Sequence, residues 1–196
     1  MNKQCISDEI KRKTFHILTL LYVLAYWYMP LGIVLWSMFI LILAVLAGEI
    51  IRAKNENFNI FILKILGGVH RESETHKISG LPWTLSGAFF TMFLFENKNF
   101  VLASFLYLAF GDAVAALAGK AFGKHKIYAG KSLEGSLACF IVCFIIGLFL
   151  LPTWQFALIG AFAATVIESI PWPLNDNFWM QILNAAVLTF FYKVLF

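Results

Sequence analysis

Long apolar runs separated by short polar breaks dominate this chain of 196 residues. Runs close to the ~20 residues needed to cross ~30 Å of hydrocarbon lie at 15 to 29, 31 to 51, 81 to 96, 100 to 119, 133 to 151, 154 to 170 and 178 to 196. They predict an all-α, polytopic transmembrane helix bundle of about seven helices. The first and third runs are short, and an apolar patch at 58 to 69 is shorter still, as an interfacial or re-entrant segment would be. Three connections are minimal: Met29 with Pro30, residues 96 to 99, and Pro152 with Thr153. Polar chemistry is therefore expected in the two long ones, 52 to 80 and 120 to 132. No Ser/Gly linker, low-complexity tract or repeat divides the sequence, so residues 1 to 196 read as a single integral-membrane unit.

Composition sharpens this picture. Hydrophobic residues make up 61%, charged residues 13%, and mean hydropathy is +0.80, against roughly 45 to 50% apolar content in an ordinary soluble domain. With the N-terminus in the cytoplasm, only Lys98 and Lys193 of the 15 Lys and Arg residues fall on the outer side, the bias that the positive-inside rule describes. The same placement puts ten of the eleven acids, all but Glu96, at or near the cytoplasmic face. Anionic headgroups account for the basic excess but not for the acids, and no nucleic-acid partner is implied. Residues 1 to 13 followed by an apolar run have the polarity of a signal peptide, yet no small-residue cleavage site follows, so the run reads as a retained first helix. The expected location is the inner or plasma membrane in a prokaryote and the endoplasmic reticulum in a eukaryote. Cys5, Cys139 and Cys143 lack metal-type spacing, and the last two, one helical turn apart, read as small hydrophobes.

Candidate chemistry concentrates in residues 111 to 140, GDAVAALAGKAFGKHKIYAGKSLEGSLACF. Asp112 lies inside an apolar run, where an ionised carboxylate costs roughly 3 kcal/mol on insertion scales and needs a partner, a water-filled cavity or a ligand. Gly111, Ala115 and Gly119 recur every four residues, a stripe along which another helix or a ligand can approach the backbone. Lys120, Lys124, Lys126 and Lys131 follow, with Gly119, Gly123 and Gly130 between them. Glycines fold a backbone tightly around phosphates and lysines neutralise them, although a positive-inside loop carries such lysines too. The Gly-Lys-Ser at 130 to 132 is not a P-loop, because the required first glycine would fall on His125. Ser132 and Glu134 fit the N-cap and first turn of a helix.

The remaining polar residues of the same face carry two readings each. Asn175, Asp176 and Asn177, after Pro171, Trp172 and Pro173, suit either a polar turn or Mg²⁺ shared with substrate phosphates. Glu168 stands one to two turns earlier, still within an apolar run. Glu49 and Arg52, at i and i+3, are spaced to pair with each other. Arg12, Lys13 and His16 form a basic segment before the first helix, a topology anchor or part of a site. The loop with His70, Glu72, Glu74 and His76 is a solvated cap or part of a site, and none of the four histidines has a metal-ligand arrangement.

In combination these residues resemble the CTP-dependent lipid-alcohol kinases, which comprise dolichol kinase, phytol kinase and fungal-type diacylglycerol kinase. Asp112, Ala115 and Gly119 match the DxxAxxxG element of that family's proposed CTP-binding region, and KSLEG at 131 to 135 matches its KSxEG element at a similar distance. Arg12 and Lys13 with His16, Glu49 with Arg52, Glu168, and Asp176 with Asn177 agree as well, so the resemblance covers nearly the whole chain. Asn175 departs from the pattern, since relatives often carry a second acid there. The resemblance implies transfer of the CTP γ-phosphoryl to a membrane lipid alcohol, a polyprenol or dolichol, a phytol-like isoprenoid or diacylglycerol, with Mg²⁺ as cofactor. It implies catalytic roles for Asp112, Lys131 and Glu168, and nucleotide contacts for Arg12, Lys13, Ala115, Gly119, Lys120, Lys124, Ser132 and Glu134. Metal contacts fall to Asp112, Asp176 and Asn177, with His16, Glu49, Arg52 and Glu72 as further candidates.

Two other functions compete. A phosphatidate cytidylyltransferase also uses CTP and a membrane lipid but attacks the α-phosphate, and the long signature associated with it, containing Lys-Asp, His-Gly-Gly and a closing Asp-Arg, is missing. An ion-coupled transporter would spread its acids along a path through the bilayer, whereas these gather toward one face. Phe89, Phe90 and Phe105 suit an isoprenoid chain or two acyl tails alike.

Overall fold

A computed structural model of the chain describes residues 19–65, 78–127 and 130–195. The regular elements among them are helices: α1 Thr19–Tyr28, α2 Leu31–Lys54, α3 Glu56–Ile65, α4 Gly80–Leu94, α5 Lys98–Phe122, α6 Leu133–Leu150, α7 Trp154–Ser169 and α8 Asp176–Leu195. Each apolar run of the sequence falls on one of them, and the short patch at 58 to 69 contributes α3. By length and composition α2, α5, α6 and α8 are able to cross a membrane, while α4 and α7 are apolar but shorter. The sequence candidates Arg12, Lys13, His16 and Glu72 lie outside the described residues.

Helix ends follow from local chemistry. Pro30, at φ −59°, precedes α2, where its missing N–H leaves no helix bond unmade. Asn97 Oδ1 accepts from the N–H groups of Asn99 and Phe100 at the start of α5. Ser132 Oγ accepts from Gly135 N–H at 3.2 Å to open α6, and Asn175 Oδ1 accepts from Asn177 N–H at 2.9 Å to open α8. Each cap satisfies a donor that the helix itself cannot.

Being apolar on all sides, α5 is the helix around which the others pack. On one flank Leu102 and Phe105 join Tyr22, Tyr26, Met38, Leu85 and Met92 of α1, α2 and α4. On the other, Phe100, Tyr107 and Leu108 join Cys139, Cys143, Ala161, Met180 and Leu188 of α6, α7 and α8. Outward faces are apolar too, with Trp36, Ile40, Phe149 and Phe162 exposed, a surface that water disfavours and lipid accommodates.

Between Tyr107 and Asp112, α5 widens into a π-helical turn. Such a turn adds a residue to the helix and so re-aims everything beyond it, beginning with Asp112. Gly111 lies in this turn, where a β-carbon would come 2.5 Å from Cys143 Sγ, so its bare backbone is what lets α5 lie this close to α6.

Antiparallel connections gather one set of helix ends together. Glu49 near the end of α2 bonds Ser79 just before α4, and Asn177 at the start of α8 bonds Thr84 in α4. The start of α6 meets the end of α7 through Lys131 and Glu168. The end of α5 belongs to the same group, since it leads directly into Lys131. At the far end, Lys98 donates to the Trp27 carbonyl at 2.8 Å.

Candidate functional site

The α5–α6 connection folds back tightly on itself. Ile127 N–H donates to the Lys131 carbonyl and Leu133 N–H to the His125 carbonyl, both at 2.9 Å, framing an isolated bridge between Lys126 and Ser132. Gly130 supplies the φ of +79° that this reversal needs, a left-handed conformation costly for other residues. Glu134 in the first turn of α6 pins the other limb: His125 Nδ1 lies 2.8 Å from its Oε1, and His125 N–H donates to the same carboxylate. Ser132 and Glu134 thus take the cap and first-turn places that the sequence predicts. Lys120, Lys124 and Lys126 line this end as exposed side chains.

The stripe of small residues is where α6 packs. A β-carbon on Gly135 would lie 2.6 Å from the Ala115 carbonyl oxygen and 3.3 Å from Gly119 Cα, and one on Gly119 would lie 3.0 Å from Ser132 Oγ. Ala115 and Ser132 are buried in this seam. Close backbone approach here fixes where the loop delivers its next residue, Lys131.

Lys131 Nζ forms an ion pair with Glu168 Oε1; the glutamate is 3% exposed and the lysine 31%. Burial pulls the Lys131 pKa down, but the Glu168 carboxylate, and behind it those of Asp112 and Asp176, outweigh burial and hold it above the ordinary lysine value. Three carboxylates from α5, α7 and α8 therefore act on one ammonium from the α5–α6 loop. Asp112 and Asp176 are each half-buried. Glu168 pairs with Lys131 directly, while Asp112 and Asp176 add to the negative field that the ammonium feels.

This cluster has a surplus of negative charge and only hard oxygen donors. Among the described residues no three His, Cys, Asp or Glu side chains form a self-sufficient metal cage. Magnesium does not need one, because it binds through one or two carboxylates plus substrate phosphates and keeps several waters. The donor set fits that mode.

Asn177 turns its Nδ2 toward Thr84 Oγ1 at 3.2 Å. Four residues on, Gln181 donates from Nε2 to the carbonyls of Asn177 and Thr84 at 2.8 and 3.0 Å, and its Oε1 accepts from Tyr22 OH at 3.1 Å. This buried network joins α1, α4 and α8 behind Asp176. Glu49 and Arg52 pair at 2.8 Å, as their spacing predicts, and also hold Ser79 and Asn59: Ser79 Oγ donates to Glu49 at 2.8 Å and Arg52 Nη1 donates to Asn59 Oδ1 at 3.1 Å. The sequence reading missed the π-helical turn, Gln181 with Thr84, and the pairing of His125 with Glu134. Only Gln181 carries a usable signal, a second amide one turn after Asn177 inside an apolar run.

No family model matches this chain, and no solved structure matches it. It is 28% identical over 206 residues to an uncharacterized protein of Rickettsia prowazekii (strain Madrid E), covering the whole of both chains. It is 28% identical over 160 residues to CTP-dependent diacylglycerol kinase 1 of Schizosaccharomyces pombe, covering 72% of this chain and 73% of that protein. It is 28% identical over 215 residues to the chloroplastic phytol kinase 1 of Arabidopsis thaliana, covering 97% of this chain and 69% of that protein. Distant relatives of this chain are thus lipid kinases.

Proposed function

We propose that this chain is a membrane-embedded lipid kinase that moves the γ-phosphoryl group of CTP to the hydroxyl of a membrane lipid alcohol. The observation that carries the reading is the ion pair of Lys131 with the buried Glu168 at the charged end of an apolar bundle, in the field of Asp112 and Asp176. CTP as donor rests on the similarity to the diacylglycerol kinase. The acceptor class, a lipid alcohol such as a polyprenol, a phytol-like isoprenoid or diacylglycerol, rests on the two named kinases and on the apolar surroundings of the site.

Phosphoryl transfer is mostly a matter of positioning and charge. In this reading the triphosphate approaches from the lysine rim, and Lys120, Lys124 and Lys131 neutralise it. Glu168 keeps Lys131 charged and directed at the cluster. Asp112 and Asp176, with Asn177 offering Oδ1, would hold Mg²⁺, which would supply neutralising charge for the phosphate oxygens. The lipid hydroxyl oxygen forms the new bond to the γ-phosphorus as the bond from that phosphorus to the β-bridging oxygen breaks. The hydroxyl proton passes to an aspartate carboxylate, and CDP leaves with the bonding pair. The charged end of the bundle faces the cytoplasm, where soluble nucleotide meets lipid, and the seven apolar runs all span.

The test is label transfer. Membranes containing the protein, given γ-labelled CTP, Mg²⁺ and a lipid alcohol, are expected to yield labelled lipid, and Asp112→Asn is expected to abolish it while inserting normally. Full turnover by Asp112→Asn would overturn the role given to this carboxylate.

A further inference from the structure

The turn between α7 and α8, residues 170 to 175, is bracketed by Glu168 and Asp176, both of which act on Lys131. Pro171, Pro173 and Leu174 are exposed, while Trp172 is partly buried against the core. Pro171 and Pro173 lock two of its φ angles. Trp172 Nε1 donates to the Ile167 carbonyl and Trp179 Nε1 to the Pro173 carbonyl, each at 2.8 Å. The two indole rings lie 6.1 Å apart. Since both N–H groups are taken by carbonyls at the turn itself, the rings offer only hydrocarbon to anything arriving.

Leu174 is the sharpest feature of this turn. Its φ of +71° places it in the left-handed region, a costly conformation for a bulky side chain that persists only where the surroundings impose it, and such residues cluster at ligand clamps. The side chain is 64% exposed. Trp179 stands three positions after Asp176, so carboxylate and indole share one side of α8. The apolar turn is therefore joined in the chain to Glu168 at one end and to Asp176 at the other. Residues 170 to 175 contain no Lys or Arg, which makes the turn a poor place for phosphates and leaves those to the lysine rim.

We infer that this turn is the acceptor subsite: the hydroxyl-bearing end of a long-chain alcohol from the bilayer lies across Trp172, Leu174 and Trp179, with its hydroxyl toward the half-buried Asp176. The inference rests on the lipid-kinase reading and adds where the acceptor binds and which side chains recognise it.

Fluorescence quenching in nanodiscs tests the subsite without requiring turnover. Trp27, Trp36, Trp83 and Trp154 are changed to Phe, leaving Trp172 and Trp179 as reporters. A dibrominated long-chain alcohol is then compared with dibrominated phosphatidylcholine. Saturable quenching by the alcohol, at a mole fraction roughly tenfold below that needed by the phospholipid, is expected. Equal, non-saturating quenching by both would make the turn a bilayer anchor and overturn the inference. A second variant does not depend on the multiple substitution. Leu174→Gly relieves the left-handed backbone, so it keeps the fold, and it is expected to raise the acceptor KM roughly tenfold with the nucleotide KM unchanged. An unchanged acceptor KM would overturn the inference while leaving the kinase reading standing. Saturable quenching of the two reporters by the alcohol, alongside a wild-type protein that moves no phosphoryl group, would support the subsite and sink the kinase reading.

Discussion

Lys131 and Glu168, 37 residues apart in sequence, are ion-paired where the start of α6 meets the end of α7. The glutamate is buried and the lysine reaches it from a partly open loop. Removing the lysine leaves a buried carboxylate without its direct counter-charge, a change that costs about 3 to 5 kcal/mol in comparable sites. Lys131→Ala is therefore expected to lower both thermal stability in detergent and activity. Glu168→Gln keeps the shape and removes the charge, so it is expected to cost less stability but still reduce turnover by weakening the hold on Lys131. Equal unfolding temperatures for wild type and Lys131→Ala would show that the pair does not support the fold.

The pH dependence of this contribution has a definite sign. The folded-state pKa of Lys131 is raised by Glu168, Asp112 and Asp176 in excess of what burial takes away. Its stabilisation is then fully present below the unfolded lysine value of about 10.4 and is lost as pH rises through the still higher folded value. The difference in unfolding temperature between wild type and Lys131→Gln should stay constant from roughly pH 6 to 9 and shrink only above about pH 10.4. A gap that closes near neutral pH would contradict this environment.

Gly135 faces α5 where a β-carbon would lie 2.6 Å from a backbone carbonyl, which cannot yield as a flexible side chain can. Gly135→Ala is expected to destabilise by about 1 to 3 kcal/mol, the usual result of overpacking, and to impair activity by shifting Lys131. Gly130→Ala meets open space and only the strain of a positive φ, so it should cost about 1 kcal/mol. Circular-dichroism melts of the two variants in detergent check the order. A Gly130→Ala loss larger than that of Gly135→Ala would argue against the seam.

Much of the helical pattern was legible because hydrocarbon imposes a length and a composition on whatever crosses it. The cap at Ser132 also follows from short-range chemistry, and the Glu49 and Arg52 pair follows from helical spacing. Convergence of Lys131 with Glu168 was not legible, since residue type suggested both but nothing local brings them together. The π-helical turn was hidden for a different reason: it lies where α5 packs on Cys139 and Cys143 at Gly111, and no propensity encodes it. Asn175 stood out in sequence as a missing acid, and its place as the cap of α8 gives the amide a reason of its own.

Orientation is checked from outside the site. Lys126 is exposed on the α5–α6 loop, and both cysteines among the described residues, Cys139 and Cys143, are buried. In sealed vesicles of known sidedness, Lys126→Cys in a Cys5→Ser background should react with a membrane-impermeant maleimide only from the cytoplasmic side. Reaction only from the other side would separate the lysine rim from cytoplasmic nucleotide and dismantle the shared site.

Doubly labelled CTP, with one isotope at the γ-phosphate and another at the α-phosphate, reports which phosphate reaches the lipid. Purified protein in vesicles is given this nucleotide, Mg²⁺, and in parallel a polyprenol, a phytol-like alcohol, diacylglycerol or phosphatidate. The account predicts γ isotope in an extracted lipid alcohol, no α isotope there, and CDP released in equal amount. Appearance of the α isotope in lipid, with the γ isotope in pyrophosphate, would contradict it and assign cytidylyl transfer instead.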